Sequence, residues 1–152
     1  MSNNSSYNEL VLKFANVNGS GSASANTFCA KALFRMGIPV SAKNIFPSNI
    51  QGLPTWYEIK ISESEQLARR DGIDIMVAMN AQTYDQDINE VLENGTFIDD
   101  SSLLRDFKRD DINIIGIPIA KLCADAYTDS RQRQLFKNIV YLGSLSLLIG
   151  ID

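Results

Sequence analysis

Residues 9–37 read ELVLKFANVNGSGSASANTFCAKALFRMG and contain the pattern that decides the fold. In residues 9–17, apolar side chains occupy both faces of an extended segment, which predicts a β-strand. A loop of glycine, serine and asparagine follows, and apolar residues then recur at helical spacing as far as Met36. Gly37 and Pro39 stand where they would end the helix. A strand, a glycine loop and a helix in this order predict the opening of a βαβ unit.

The predicted helix has an apolar side and a polar side. Helical spacing predicts that the apolar set faces the protein core, and this set is Ala25, Phe28, Cys29, Ala32, Leu33 and Met36. The set expected on the other side is Asn26, Thr27, Lys31 and Arg35. The spacing therefore makes a specific prediction about which side chains reach the sheet.

Strands and helices alternate along the rest of the chain. The predicted elements are strands at 40–46, 56–61, 73–79, 96–100 and 112–119, and helices at 82–92 and from 120 to the end. Because most of these strands are continuous apolar runs, the sheet should be mainly parallel and covered on both faces. The pattern predicts an α/β fold, a Rossmann-like three-layer αβα arrangement, with residues 1–152 forming one domain.

The composition excludes several classes of protein. The chain has 14 basic and 18 acidic residues, and a net charge of −4 does not favour binding to nucleic acid. The first ten residues lack the basic and apolar segments of a signal peptide, and no apolar run is long enough to cross a membrane. Cys29 and Cys123 lie far apart in apolar stretches, so no disulfide is expected. We therefore expect a cytoplasmic protein that contacts neither nucleic acid nor membrane.

Histidine is absent from the sequence. Without histidine and with two distant cysteines, the chain has no recognisable ligand set for a zinc ion or an iron–sulfur cluster. It also lacks the commonest acid–base residue of enzymes. We expect that most of the reactive groups for any chemistry come from outside this domain, and that the isolated chain is inactive.

Three stretches should meet at the carboxyl ends of the strands, where open parallel sheets bind ligands. They are residues 16–24, 79–82 and 99–102. The first is the best candidate for a phosphate site, because glycines allow close approach of the backbone and the helix that follows begins with unpaired N–H groups. The predicted cofactor-binding residues of this loop are Asn18, Gly19, Ser20, Gly21, Ser22 and Ser24.

A dinucleotide site is a weaker interpretation of the same loop. Ser24 stands where the fingerprint has its third glycine or alanine, and no acidic residue follows about twenty positions on to bind a ribose. Lys43 lies in that region and favours an additional phosphate instead. A tight turn that binds no ligand remains an alternative.

Two further segments allow both a structural and a functional interpretation. Residues 47–54 contain two prolines before Trp56, and they form either a stiff connection into an edge strand or a rigid surface that lies against a partner's cofactor. Asp99 and Asp100 could be a catalytic carboxylate pair, but residues at a strand end are the favoured interpretation. Residues 142–149 are almost entirely apolar, which predicts a helix covered by the sheet or by another part of a longer chain.

Three stretches resemble the gamma domain of the 2-oxoacid:ferredoxin oxidoreductases. They are residues 17–26, VNGSGSASAN, residues 34–40, FRMGIPV, and residues 44–59, which include FPSNIQGLPTWY. The resemblance is narrower to the N-terminal gamma portion of the alpha subunit of 2-oxoglutarate:ferredoxin oxidoreductase. Where the common gamma pattern has Gly-Gly-Gln-Gly, this chain has a Gly-Ser-Gly-Ser sequence beginning at Gly19.

The resemblance implies a function. Family members decarboxylate a 2-oxoacid on thiamine diphosphate with magnesium, pass electrons to ferredoxin through iron–sulfur clusters, and transfer the acyl group to coenzyme A. It implies that this domain contributes coenzyme A binding and subunit packing, that the other cofactors belong to other domains or subunits, and that the domain is part of a longer chain or complex. An independent small nucleotide- or flavin-binding protein and a purely structural docking domain remain the alternatives.

Overall fold

A single mixed sheet organises the chain in the computed structural model, which describes residues 9–47, 49–62 and 71–150. The strands are β1 Glu9–Val17, β2 Val40–Ile45, β3 Pro54–Ser62, β4 Ile73–Ala78, β5 Val91–Asp100 and β6 Asn113–Ile117. The helices are α1 Ser22–Arg35, α2 Tyr84–Glu90, α3 Ile119–Ala126 and α4 Ser130–Ile149, and a 3-10 turn at Ala81–Thr83 precedes α2.

The strand order is β2-β3-β1-β4-β5-β6. The pairs β1–β4, β4–β5 and β5–β6 are parallel, whereas β3 is antiparallel to both β1 and β2. Because β2 covers the outer side of β3, the strand that contains Trp56 is an interior strand and not the edge strand that the sequence predicted. The prediction of an α/β fold with a mainly parallel sheet is confirmed.

Each face of the sheet carries its own apolar core. On one face, Leu12 and Phe14 of β1 pack with Leu33 of α1 and with Tyr141 and Leu145 of α4. The opposite core combines β-strand side chains with α2 and the segment before β6, and it contains Val11, Ala15, Trp56, Met76, Ile88, Phe97 and Ile112. The central strands β1 and β4 are therefore buried on both faces, as their apolar runs predicted. The edge strand β2 is mostly exposed, and β6, which was also predicted to be buried, is only partly covered because it forms the other edge of the sheet.

Helix α1 is rotated relative to the sequence prediction. Asn26, which was expected in solvent, is buried, and Phe28, which was expected in the core, is 69% exposed. The buried side of α1 is Ser22, Asn26, Ala30 and Leu33. The physical reason is that Asn26 has buried hydrogen-bond partners on two other elements, described below, so its polar side chain is satisfied inside the protein.

The boundary between α2 and β5 also differs from the prediction. The helix ends at Glu90, and Val91 already pairs with Ile73 of β4. Asn94 and Gly95, which follow the predicted helix at 82–92, lie inside β5. Asn94 has a positive φ of 63°, and its N–H donates to the carbonyl of Asp111 at 2.7 Å. Because this contact joins residues far apart in the chain, a local sequence pattern could not predict it.

A buried carboxylate holds α2 against the sheet. Asp87 is fully buried and accepts hydrogen bonds from Trp56 Nε1 at 2.8 Å and from Thr83 Oγ1 at 2.6 Å. Burial raises the pKa of Asp87, although both donors oppose the rise. An acid with a raised pKa in the folded state binds its proton more tightly when folded. Its stabilising contribution is therefore present at low pH and is lost as the pH rises through the raised value.

We expect Asp87→Asn to reduce this pH dependence. The amide keeps an acceptor for Trp56 and can donate to the Thr83 hydroxyl, but it does not ionise. Relative to wild type, the variant should therefore become more stable as the pH increases from about 3.5 to 7. Urea unfolding across this range measures the difference. Asp85→Asn, on the exposed side of the same helix, is the matched control. The prediction would be contradicted if wild type and Asp87→Asn differed in unfolding free energy by the same amount at every pH.

Candidate functional site

A cavity of about 450 Å³ opens beyond the carboxyl ends of β1, β4 and β5. Its size lies within the usual range of small-ligand sites, roughly 300–1,000 Å³. All three stretches that the sequence predicted to converge contribute to its wall, through Asn18 and Gly19, Met79 and Ala81, and Asp100. The convergence follows from the parallel pairing of these strands.

The glycine loop forms one wall of the cavity and is fixed by neighbouring segments. Asn18 donates its backbone N–H to the carbonyl of Leu53 at 2.8 Å and accepts from the N–H of Gly52 at 3.0 Å. Asn138 of α4 donates through Nδ2 to the carbonyl of Ser20 at 3.0 Å. The loop is therefore held from both sides and does not depend on a ligand for its shape.

Residues 47–54 are part of this wall. Gln51 and Gly52 line the cavity, and a Cβ at Gly19 would lie 2.7 Å from Gln51 Cγ. Trp56, a few residues later, is buried and donates to Asp87. The described residues of the segment thus serve both as a stiff connection and as a surface of the candidate site.

Gly21 sets the direction in which α1 leaves the loop. It has a φ of 78° and a ψ of 2°, a left-handed conformation that favours glycine. A Cβ at this position would lie 3.1 Å from Leu135 Cδ2 and 3.5 Å from Asn138 Nδ2. Within the described ranges, no side chain caps the N-terminus of α1. Its first turn therefore lacks the side-chain acceptor that usually occupies this end of a helix.

The remaining predicted loop residues have different positions. Ser20 lines the cavity, and its Oγ is buried without a hydrogen-bond partner in the described part of the chain. Ser22 is buried against the sheet, whereas Ser24 is exposed outside the cavity. Of the predicted set, Asn18, Gly19 and Ser20 face the cavity and Gly21 adjoins its α4 wall.

The structure does not bring Lys43 to this cavity. Lys43 is exposed on β2 and pairs in register with Glu58, whereas Val17, at the end of β1, pairs with Pro54. Four residues of strand correspond to about 13 Å along the strand axis. Strand β3 also lies between Lys43 and β1.

Helix α4 supplies a wall that the sequence analysis missed. Gln134, Lys137, Asn138 and Tyr141 all line the cavity. No local sequence pattern links residues 134–141 to a loop more than a hundred positions earlier. The available signal was the polar pair Lys137 and Asn138 between the apolar pairs Leu135–Phe136 and Ile139–Val140. In the described part of the chain, Lys137 makes no ion pair within 4 Å, so its charge is available to a ligand.

A buried polar network lies at the base of the cavity. Asn26 donates through Nδ2 to Asn16 Oδ1 at 3.2 Å and accepts from the Tyr141 hydroxyl at 2.8 Å. Burial raises the pKa of Tyr141, so the phenol stays protonated and acts as a donor. Asn80 donates to the carbonyl of Asn16 at 3.2 Å. The network joins β1, α1, α4 and the turn after β4.

The two adjacent aspartates serve separate structural roles. Asp100 lines the cavity and accepts from the N–H of Ser102 at 3.0 Å and from the N–H of Ala120 at 3.1 Å, so that it caps α3 from outside the helix. Asp99 is buried and pairs with Arg105 Nη1 at 2.9 Å. Burial raises the pKa of Asp99, and the Arg105 guanidinium opposes this rise. The strand-end interpretation of this pair therefore agrees with the contacts.

Two further properties concern cofactors and membranes. Among residues 9–47, 49–62 and 71–150, no group of three or more cysteine, aspartate or glutamate side chains is arranged to hold a metal ion. Within the same ranges, no helix combines the length and apolarity that a membrane crossing requires.

The glycine loop, the parallel strands and the cavity at their carboxyl ends define a Rossmann-like α/β domain. The sequence matches the family described as pyruvate ferredoxin/flavodoxin oxidoreductase over residues 11–152. The chain belongs to this family. None of the curated proteins matches the sequence.

Several solved structures share the fold. The 2-oxoglutarate:ferredoxin oxidoreductase of Magnetococcus marinus, solved with 2-oxoglutarate, coenzyme A and succinyl-CoA bound, is 26% identical with a TM-score of 0.78, and the match covers 91% of this chain and 24% of that one. The gamma subunit of a keto/oxoacid ferredoxin oxidoreductase from Geobacter sulfurreducens is 20% identical with a TM-score of 0.74, covering 93% and 78%. The pyruvate oxidoreductase subunit PORC of Thermotoga maritima is 13% identical with a TM-score of 0.56, covering 86% and 92%. This chain therefore spans about a quarter of the Magnetococcus protein and most of each separate subunit.

Proposed function

We propose that this chain is a gamma-type domain or subunit of a cytoplasmic 2-oxoglutarate:ferredoxin oxidoreductase, and that its cavity binds the phosphates of coenzyme A. In the complete enzyme, thiamine diphosphate, magnesium and iron–sulfur clusters on other domains or subunits would supply the oxidative chemistry. Ferredoxin would be the electron acceptor. The isolated chain is expected to be inactive because it contributes binding groups rather than reactive ones.

The hydrogen-bond donors and the positive charge at the cavity are the main support for the coenzyme A proposal. Ser20 lines the cavity, and its buried hydroxyl has no hydrogen-bond partner among the described residues, so it can donate to a phosphate oxygen. The glycine loop of the cavity leads into the N-terminus of α1, whose first-turn residues lie outside the lining and whose dipole favours an anion nearby. Lys137 adds a positive charge from the α4 wall. Because both Asp100 oxygens already accept backbone hydrogen bonds, the carboxylate that shares the cavity is internally engaged. These residues suit an anionic ligand with several phosphate oxygens.

The relatives support the choice of substrate. The Magnetococcus protein, which matches over nearly the whole of this chain, was solved with both coenzyme A and 2-oxoglutarate. The two separate subunits support the fold and the expectation that this domain works within a complex.

Titration of the chain with coenzyme A by isothermal calorimetry tests the proposal. We expect saturable binding that Lys137→Ala weakens by roughly 5- to 30-fold, since a charge-assisted contact contributes about 1–2 kcal/mol. Lys43→Ala is the matched control, because it removes the same charge outside the cavity and should leave the affinity unchanged.

Further titrations distinguish this proposal from its alternatives. If Lys137 contacts the 3′-phosphate, Lys137→Ala should have much less effect on the affinity for dephospho-coenzyme A, which lacks that phosphate. Loss of affinity in Lys43→Ala but not in Lys137→Ala would assign the phosphate to the edge strand. Absence of binding by the wild-type chain would favour a docking domain, and binding of flavin instead of coenzyme A would favour an independent flavoprotein.

A further inference from the structure

An apolar groove of about 400 Å³ lies between α1 and α4, on the outer side of the helical layer. Its wall includes Phe28 and Ala32 of α1 and Ile139, Leu142 and Ile149 of α4. We call it the α1–α4 groove. It shares no lining residue with the cavity at the strand ends.

The groove exposes large apolar side chains to solvent. Phe28 is 69% exposed and Ile139 is 63% exposed. The hydroxyl of Ser146, which also lines the groove, donates to the carbonyl of Leu142 at 2.9 Å and so presents little hydrogen-bonding capacity outward. Contiguous exposed apolar surface of this kind marks interaction sites.

The helices around the groove carry a charge opposite to that of the whole chain. Although the net charge is −4, α1 and α4 contain no acidic residue; their charged residues are Lys31, Arg35, Arg131, Arg133 and Lys137. Lys31 and Arg35 follow Phe28 by three and seven positions, so all three side chains share one side of α1. Arg131 precedes exposed Leu135 by four positions on α4. Lys31 and Arg35 therefore lie beside the groove on α1, and Arg131 lies beyond its end on α4, about 12 Å along the helix from Ile139.

We propose that the α1–α4 groove binds an amphipathic helix of another polypeptide, with an apolar stripe flanked by aspartate and glutamate. A helix that packs an i, i+3, i+4, i+7 stripe into a groove between two helices is a common recognition mode. Acidic flanks would complement Lys31, Arg35 and Arg131. A second copy of this chain fits less well, because it would bring two cationic surfaces together. A lipid surface fits less well, because the apolar site is concave.

Two labelled peptides of about 18 residues test this proposal by fluorescence anisotropy. They share one leucine stripe at helical spacing, and one has glutamate and the other lysine on its flanks. The acidic peptide should bind at least tenfold more tightly, and its affinity should decrease between about 50 and 500 mM salt because the flanking contacts are screened.

Variants locate the binding surface. Ile139→Asp places a charge in the groove and should abolish peptide binding while leaving the coenzyme A titration unchanged. Lys31→Glu combined with Arg35→Glu should reverse the preference between the two peptides. Leu104→Asp is the matched control, since Leu104 is 91% exposed and lies outside the groove.

Four results would overturn the proposal. They are absence of acidic-peptide binding, equal binding of the two peptides, concentration-dependent dimerisation of the wild-type chain that Ile139→Asp prevents, and sedimentation with phosphatidylserine vesicles that Ile139→Asp prevents. The third would identify a second copy as the occupant and the fourth an anionic membrane. Because Ile139→Asp is predicted to retain coenzyme A binding, the proposal for the groove and the proposal for the cavity can be disproved independently.

Discussion

Replacing Gly21 by valine is expected to weaken coenzyme A binding by at least tenfold. The left-handed backbone at Gly21 strains any residue with a Cβ, at a cost of about 1–2 kcal/mol, and β-branching adds to it. The new side chain would also meet Leu135 and Asn138, the residue that holds the Ser20 carbonyl. The loop and α4 would therefore separate, and the two walls of the cavity would no longer face the same phosphates.

The chain offers a matched control for backbone strain. Gly37 has a nearly identical φ of 79° and lies at the opposite end of α1. A Cβ there would meet no atom of the described residues within 4 Å. Gly37→Val should therefore lower the melting temperature without changing coenzyme A affinity. Calorimetric titration and thermal unfolding of both variants separate the two effects. Equal coenzyme A affinity in wild type and Gly21→Val would show that the loop is a structural turn.

Replacing Tyr141 by alanine is expected to destabilise the chain by about 3–5 kcal/mol, the range for loss of a buried aromatic ring. Tyr141 is fully buried, its ring lies 5.8 Å from that of Phe14, and its hydroxyl donates to Asn26. Tyr141→Phe keeps the ring but leaves the buried Asn26 Oδ1 without this donor, so it should cost about 1–3 kcal/mol. Urea unfolding measures both differences.

An exposed tyrosine is the control for this prediction. Tyr127 is 37% exposed and makes an edge contact with Phe136 at 5.1 Å. Tyr127→Ala should therefore cost clearly less than Tyr141→Ala, because a partly exposed ring buries less area and one aromatic pair adds only roughly 0.5–1.5 kcal/mol to the burial term. Similar costs for Tyr141→Ala and Tyr127→Ala would mean that Tyr141 does not join the cavity floor to the core.

The sheet and the glycine loop were predictable because their signals are local. The almost uninterrupted apolar run at β4 and the loop between β1 and α1 can be recognised without knowing what they contact. Parallel strands then force the loop, the turn after β4 and Asp100 to one edge of the sheet. This is why the position of the candidate site follows from the sequence.

The orientation of α1 was not predictable, because it depends on a partner far along the chain. Periodicity places a polar residue such as Asn26 outside, but Tyr141, 115 positions later, supplies the hydrogen bond that allows burial. The position of Lys137 at the cavity could not be predicted for the same reason, because it depends on the packing of α4 beside α1. Lys43 was chosen by its spacing from the glycine loop, and the intervening strand β3 removes it from the cavity.

Consecutive residues of α4 serve two separate surfaces. Lys137 and Asn138 line the cavity, whereas Ile139 lines the groove on the other side of the helix. A helix moves largely as a rigid body, so an occupant that displaced α4 in the groove would also shift Lys137 relative to the glycine loop. Thermodynamic linkage then makes the effect reciprocal: a partner that changes coenzyme affinity by some factor has its own affinity changed by the same factor. Because α4 contributes to both sites, binding of a partner in the groove and binding of the coenzyme in the cavity would each change the affinity of the other.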